Sequence, residues 1–125
     1  MAKLSSKHDP MDSLADVLDN ADRIERYLAN VTRSESAANG MLRDALERCL
    51  ERVCEAVYRR GSRGTEFLPD QPLVDIRGMG NRLRHAYDRV SEEVVWTTTR
   101  KTLPSLVGAA RTALAQLTTA KGSDG

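Results

Sequence analysis

Between Ile76 and Val90 the chain reads IRGMGNRLRHAYDRV, and within this run Asn81, His85 and Asp88 follow one another at separations of four and three residues. On a helix such separations bring side chains onto one face. Arg77, Arg84 and Tyr87 border that face. An imidazole exchanges a proton near neutral pH, and neighbouring guanidiniums attract a phosphodiester and stabilise the negative charge added in its transition state. These groups together suit cleavage of an RNA phosphodiester without a metal. Each also has a plainer use: a His on a charged helix can serve a surface or an interface, and a Tyr on the apolar stripe can be a core residue with its hydroxyl at the surface.

Other chemistry finds no support in the sequence. There is no phosphate-binding glycine loop, no paired-His zinc motif and no Gly-x-Ser-x-Gly elbow. Cys49 and Cys54 are five residues apart in a helical pattern, so their side chains diverge by roughly 140° at ~3.6 residues per turn. Reduced thiols packed as small apolar groups are expected, and the spacing of a structural zinc site is absent. His8 belongs to a polar leader and is read as a bystander. Trp96, with a single Phe elsewhere, makes no stacking platform for bases and is expected to anchor a core or an interface. The formal net charge of +1 excludes neither nucleic acid nor protein partners. Within the basic set, Lys is confined to Lys3, Lys7, Lys101 and Lys121, and the remaining cations are the forked guanidiniums that suit phosphate contacts.

The elements that must position these residues are helices. Apolar residues recur at helical spacing nearly everywhere, and no segment alternates as a strand does. A first helix is expected from about Ser13 to Ala29 on the stripe Leu14, Val17, Leu18, Ala21, Ile24 and Leu28. Asn30 to Asn39 reads as a connection. A second helix, about Ser36 to Arg60, would turn Met41, Ala45, Cys49, Val53, Ala56 and Val57 inward. Pro72 suits the first turn of a third helix, which should carry Leu73, Ile76, Leu83, Tyr87 and Val90 on one stripe. Gly80 occupies a step of that stripe where a larger side chain is expected, and Gly78 and Gly80 each weaken the helix by roughly 1 kcal/mol relative to Ala. Ser91 and Glu92 open a fourth helix ending near Arg100. Leu103 to Leu117 forms a fifth, with Thr102 as its cap and Pro104 in its first turn.

With 125 residues, 40% hydrophobic and 30% charged, the chain suits one domain: a single-domain, antiparallel all-α bundle of about five helices. The expected organisation is a flexible leader over 1–12, a helical domain over 13–117 and a flexible polar tail over 118–125. No stretch approaches the ~20 apolar residues of a membrane span, and Met1 to Asp12 lacks the apolar core of a secretory signal. A cytoplasmic location is expected.

The run DIRGMGNRLRHAYDRV, followed by the acidic pair, VVW and TLPSL, closely resembles the HepT-like branch of the HEPN superfamily, toxins of toxin and antitoxin pairs. The resemblance covers roughly Leu14 to Leu117. It is most specific in the third helix, where the family pattern is an Arg, an Asn, three variable residues, a His, one variable residue and a Tyr. Asn81, His85 and Tyr87 match at the correct spacing. The motif Arg falls on Gly80, and none of Arg77, Arg82 or Arg84 restores the family's interval between Arg and His. An impaired copy is therefore expected, either introduced or naturally degenerate, and as a poor helix former Gly80 offers no local structural gain for the loss.

The resemblance implies a HEPN-like homodimer whose third helices border a shared cleft that works as a metal-independent endoribonuclease, with no cofactor and no metal. There the Arg stabilises phosphate charge, the His takes part in proton transfer or positions the ribose 2′-hydroxyl, and the Asn holds the geometry. Here those roles fall on position 80, His85 and Asn81, with Arg77 and Arg84 as further phosphate contacts. The family also implies a type VII-like system with an MNT-type nucleotidyltransferase antitoxin, which in some systems transfers AMP to the motif Tyr. That residue is Tyr87. The alternative is a non-catalytic helical partner subunit of a nucleotidyltransferase.

Overall fold

Helix α1, Pro10–Leu28, begins ahead of the apolar stripe because Asp9 caps it, its carboxylate accepting a hydrogen bond from the Met11 amide at 2.8 Å, with Pro10 in the first turn. The computed structural model describes residues 9–59, 64–85 and 91–124, and every regular element among them is helical. Leu14, Val17, Ala21, Ile24 and Leu28 of α1 are buried as their spacing predicts. Asn30, in the left-handed region at φ 61°, turns the chain away from the helix.

The expected connection contains a short helix, α2, Arg33–Ala38. Its start is a capping box: the Glu35 amide donates to Thr32 Oγ1 at 3.1 Å, and the Thr32 amide donates to the Glu35 carboxylate at 2.9 Å. The helix expected from Ser36 is interrupted at Asn39, which starts α3, Gly40–Val57, by accepting from the Leu42 amide at 3.0 Å. Leu46, Cys49, Leu50, Val53, Cys54, Ala56 and Val57 form its buried side. Met41 is not part of it. At 82% exposure, Met41 lies in the first turn at the edge of the stripe, and Leu46 and Leu50 take the inward steps instead.

Leu68, after a 3₁₀ turn at Gly64–Phe67, adds to the core ahead of α4, Leu73–Arg84. Ser91 then caps α5, Glu92–Thr97, accepting from the Val94 amide at 3.2 Å. Two separate helices are expected beyond this point, yet α5 passes without a break through a π turn, Thr98–Thr102, into α6, Leu103–Asp124. Thr102 is therefore inside a helical run and is not a cap. The Leu103 amide reaches back five residues to the Thr98 carbonyl, and this wider turn reorganises the hydrogen bonding just before Pro104, which has no amide hydrogen to offer. Buried Thr99 donates its hydroxyl to the Trp96 carbonyl at 2.8 Å within the same bend. Trp96 packs partly buried against the core, with the Arg100 guanidinium 5.0 Å from its ring centroid.

Helices α1, α3 and α6 enclose the core, with Leu103, Leu106, Ala110 and Ala113 supplied by α6. Helix α4 rests on α3. The chain is an all-α HEPN-like bundle, and among the described residues no helix is long and apolar enough to cross a membrane.

Candidate active site at the end of helix α4

Helix α4 is tied to α3 at its start through Tyr58 and packs against Cys54 of α3 at Gly80. The Tyr58 hydroxyl, just beyond α3, donates to the Leu73 carbonyl in the first turn of α4. The Arg77 guanidinium lies 5.4 Å from the centroid of the same ring, a cation–π arrangement. Burial and the loss of solvation raise the Tyr58 pKa above its ordinary value. Ile76 and Gly80, four residues apart, are the buried positions of α4.

Gly80 has a packing reason. A β-carbon added there would stand 2.7 Å from Cys54 Cβ and 3.5 Å from Cys54 Sγ. The obstacle is the root of a side chain on α3, which cannot rotate aside, so a larger residue requires the two helices to separate. This corrects the expectation that Gly80 brings no structural gain: its missing side chain lets α4 pack directly against Cys54 of α3. The Cys54 thiol is buried, and desolvation pushes its pKa up to about 11 against the partial opposition of the Arg84 charge. Cys49 is also buried and free, with its pKa raised by desolvation. Both cysteines are thus the reduced packing groups expected of them.

The expected helix through Val90 ends at Arg84. His85 takes extended torsions, φ −99° and ψ 102°, and its amide donates to the Arg82 carbonyl at 3.2 Å, a tightened last turn. His85 is therefore an exposed cap residue, not a helical neighbour of Asn81 at four residues' spacing. The two glycines at 78 and 80 lower the helical preference of the turns before it. Tyr87 and Asp88 lie outside the described residues.

Arg84 closes the constellation by turning back over its own helix. Its Nε donates to the Gly80 carbonyl and its Nη2 to Asn81 Oδ1, each at 3.4 Å. Nη2 also stands 3.6 Å from the place a β-carbon on Gly80 would occupy. Gly80, Asn81 and Arg84 are thus brought together in the last turns of α4, with His85 following directly as its exposed cap, while Arg77 is held by Tyr58 nearer the start of the helix. A helix C-terminus carries roughly half a negative charge, which opposes an incoming anion. Arg82 and Arg84 in the last turn reverse that sign.

The positioning roles of Tyr58 and Cys54 were not found by sequence reasoning. No spacing rule connects Tyr58 to Leu73. For Cys54 and Gly80 the only available signal was a small residue on each of two apolar stripes. Among the described residues no three His, Cys, Asp or Glu side chains gather as a metal site would need.

Comparison with known proteins shows the family of the chain. The family profile described as Ribonuclease HepT-like matches residues 17–113. A Methanocaldococcus jannaschii protein named "Putative RNase MJ1216" is 31% identical over 100 residues, covering 80% of this chain and 83% of its own length. A Thermococcus cleftensis protein named "Probable ribonuclease HepT" is 26% identical over 102 residues, covering 82% of this chain and 93% of its own. No solved structure gives a significant match. The chain belongs to the HepT-like ribonuclease family.

Proposed function

We propose that the chain is the toxin of a type VII-like toxin and antitoxin pair, a metal-independent endoribonuclease acting in the cytoplasm at a cleft between two copies of itself. The observation that carries this reading is the Arg84 guanidinium bound to Asn81 in the last turn of α4, directly before His85 in the chain, in a protein of a ribonuclease family. In the simplest course the ribose 2′-oxygen attacks the adjacent phosphorus, its proton passes to a base, and the 5′-oxygen leaves with a proton as the cyclic phosphate forms. The His85 imidazole can serve as the base in the first transfer or the acid in the second. Guanidinium groups stabilise the phosphate charge that builds up, and Asn81 fixes one of them through its side-chain oxygen. With Gly80 where the family motif has Arg, the copy is slower than one with the full motif.

Control falls to an MNT-type nucleotidyltransferase. The Tyr87 oxygen attacks the α-phosphorus of ATP, the bond to pyrophosphate breaks, and AMP stays on the ring two residues from His85. Its bulk and negative charge then repel an RNA phosphate. Incubation with the cognate nucleotidyltransferase and ATP is expected to add one AMP mass to the peptide carrying Tyr87 and none to a Tyr87→Phe variant; an unchanged mass on the native chain rejects this step.

A second reading, a non-catalytic helical partner of the nucleotidyltransferase, is favoured by one observation. The 2.7 Å approach at Gly80 leaves no space for the motif Arg as the helices now pack. RNA cleavage separates the two readings: a folded chain no more active than His85→Ala supports the second.

A further inference from the structure

We propose that Arg84 takes over the place of the side chain absent at position 80, so that the phosphate-binding guanidinium reaches the site from one helical turn further along. The inference rests on the ribonuclease reading and deepens it. It begins with geometry: the exposed Arg84 side chain bends back along its helix toward Gly80, with Nε on the Gly80 carbonyl and Nη2 on Asn81 Oδ1. The same Nη2 is 3.6 Å from the point where a β-carbon on Gly80 would begin. A side chain at 80 would therefore start beside the space the Arg84 guanidinium now fills.

The other arginines of α4 are placed elsewhere. Arg77 stacks on Tyr58, and Arg82 borders a different groove with Val74, Gly78 and Val94. Arg84 alone among these three is bound to Asn81 and precedes His85 directly. Its two contacts use one Nε and one Nη2 hydrogen bond, and a guanidinium has five donors, so donors remain for phosphate oxygens. The exchange also has a structural logic. Gly80 lets α4 sit against Cys54, and a cation from position 84 reaches the same region without separating the helices.

The consequence for Gly80→Arg differs from simple repair. A new guanidinium would compete with Arg84 for one region and repel it, besides forcing α4 from Cys54. Adding Cys54→Gly removes the β-carbon obstacle, and in that background Gly80→Arg is still expected to give no gain while Arg84 is present.

The test uses a fluorescein-labelled, mixed-sequence RNA oligonucleotide and its all-2′-deoxy counterpart, which cannot be cleaved through a 2′-oxygen. Native chain, Arg84→Ala, Arg84→Lys, His85→Ala and Gly80→Arg with Cys54→Gly are compared, each checked for helix content. The native chain is expected to cleave. Arg84→Ala should lose about 10²-fold in rate, and Arg84→Lys should recover part of it, because the charge returns without the fork. Affinity of Arg84→Ala for the deoxy strand should fall, with the slope of log affinity against log salt reduced by about 0.7, one phosphate contact. Cleavage and salt slope unchanged in Arg84→Ala overturn the proposal. So does a native chain as inert as His85→Ala. If Gly80→Arg with Cys54→Gly then gains cleavage, the ribonuclease reading stands without the transposed cation; if every folded chain is inert, the ribonuclease reading falls as well.

Discussion

At the scale of the residue, Cys54 shows how burial decides chemistry. Its thiol pKa rises from an ordinary value near 9 to about 11 because the charged form would lose its solvation between α3 and α4. The folded state therefore holds the proton more tightly than the unfolded one. The sign of the linkage follows: the stability associated with the neutral thiol is present below pH 9 and is lost as pH rises toward 11, on the order of 2–3 kcal/mol. Urea midpoints should fall across that window in the native chain, and the fall should be smaller in Cys54→Ala; identical slopes for the two proteins would refute the assignment. Cys54 is also expected to resist alkylation at pH 8 until the chain unfolds, since the thiolate is the reactive species.

At the scale of the element, the two glycines of α4 make opposite predictions. Gly78 has no atom within 4 Å of an added β-carbon, whereas Gly80 meets Cys54 Cβ at 2.7 Å. Gly78→Ala should stabilise the chain by about 1 kcal/mol through helix preference alone. Gly80→Ala gains the same preference but overpacks the contact with α3, at a cost of about 1–3 kcal/mol, so it should be neutral to destabilising by about 2 kcal/mol. Denaturant unfolding of both variants checks the difference, and a stabilised Gly80→Ala would contradict the packing. The same helix shows what was legible beforehand. The all-helical class, the stripes of α1 and α3 and the Ser91 cap all follow from local spacing and side-chain chemistry, whereas the placing of His85 on the helical face of Asn81 does not survive the extended backbone at His85. The end of α4 at Arg84, the π turn that joins α5 to α6 and the contact of Gly80 with Cys54 do not follow from local spacing either. Those depend on which carbonyl an amide finds and how near a second helix lies, and neither is written in the periodicity of one segment. The exposure of Met41 has a related cause: a stripe extended to the first turn of a helix does not reveal where the neighbouring helix stops.

At the scale of the whole molecule, the bundle divides its labour. Helices α1, α3 and α6 supply most of the buried core, with Leu68, Ile76 and Val95 completing it, and α4 rests on α3 through Tyr58 and Gly80. The groups suited to phosphate chemistry gather at the one end of α4 where the helix ladder stops and the backbone turns extended. A site placed there stands on a helix packed against α3, with His85 just beyond the helical repeat that holds Asn81 and Arg84. The negative end of the helix makes cations a requirement of any phosphate site at this position, and the last turn provides Arg82 and Arg84. The most direct measurement is cleavage of a mixed-sequence RNA by the native chain in the presence of EDTA, set against folded His85→Ala. The ribonuclease reading predicts slow, chelator-insensitive cleavage by the native chain and a loss of about 10²-fold or more in His85→Ala; equal residual rates for the two folded proteins would contradict it.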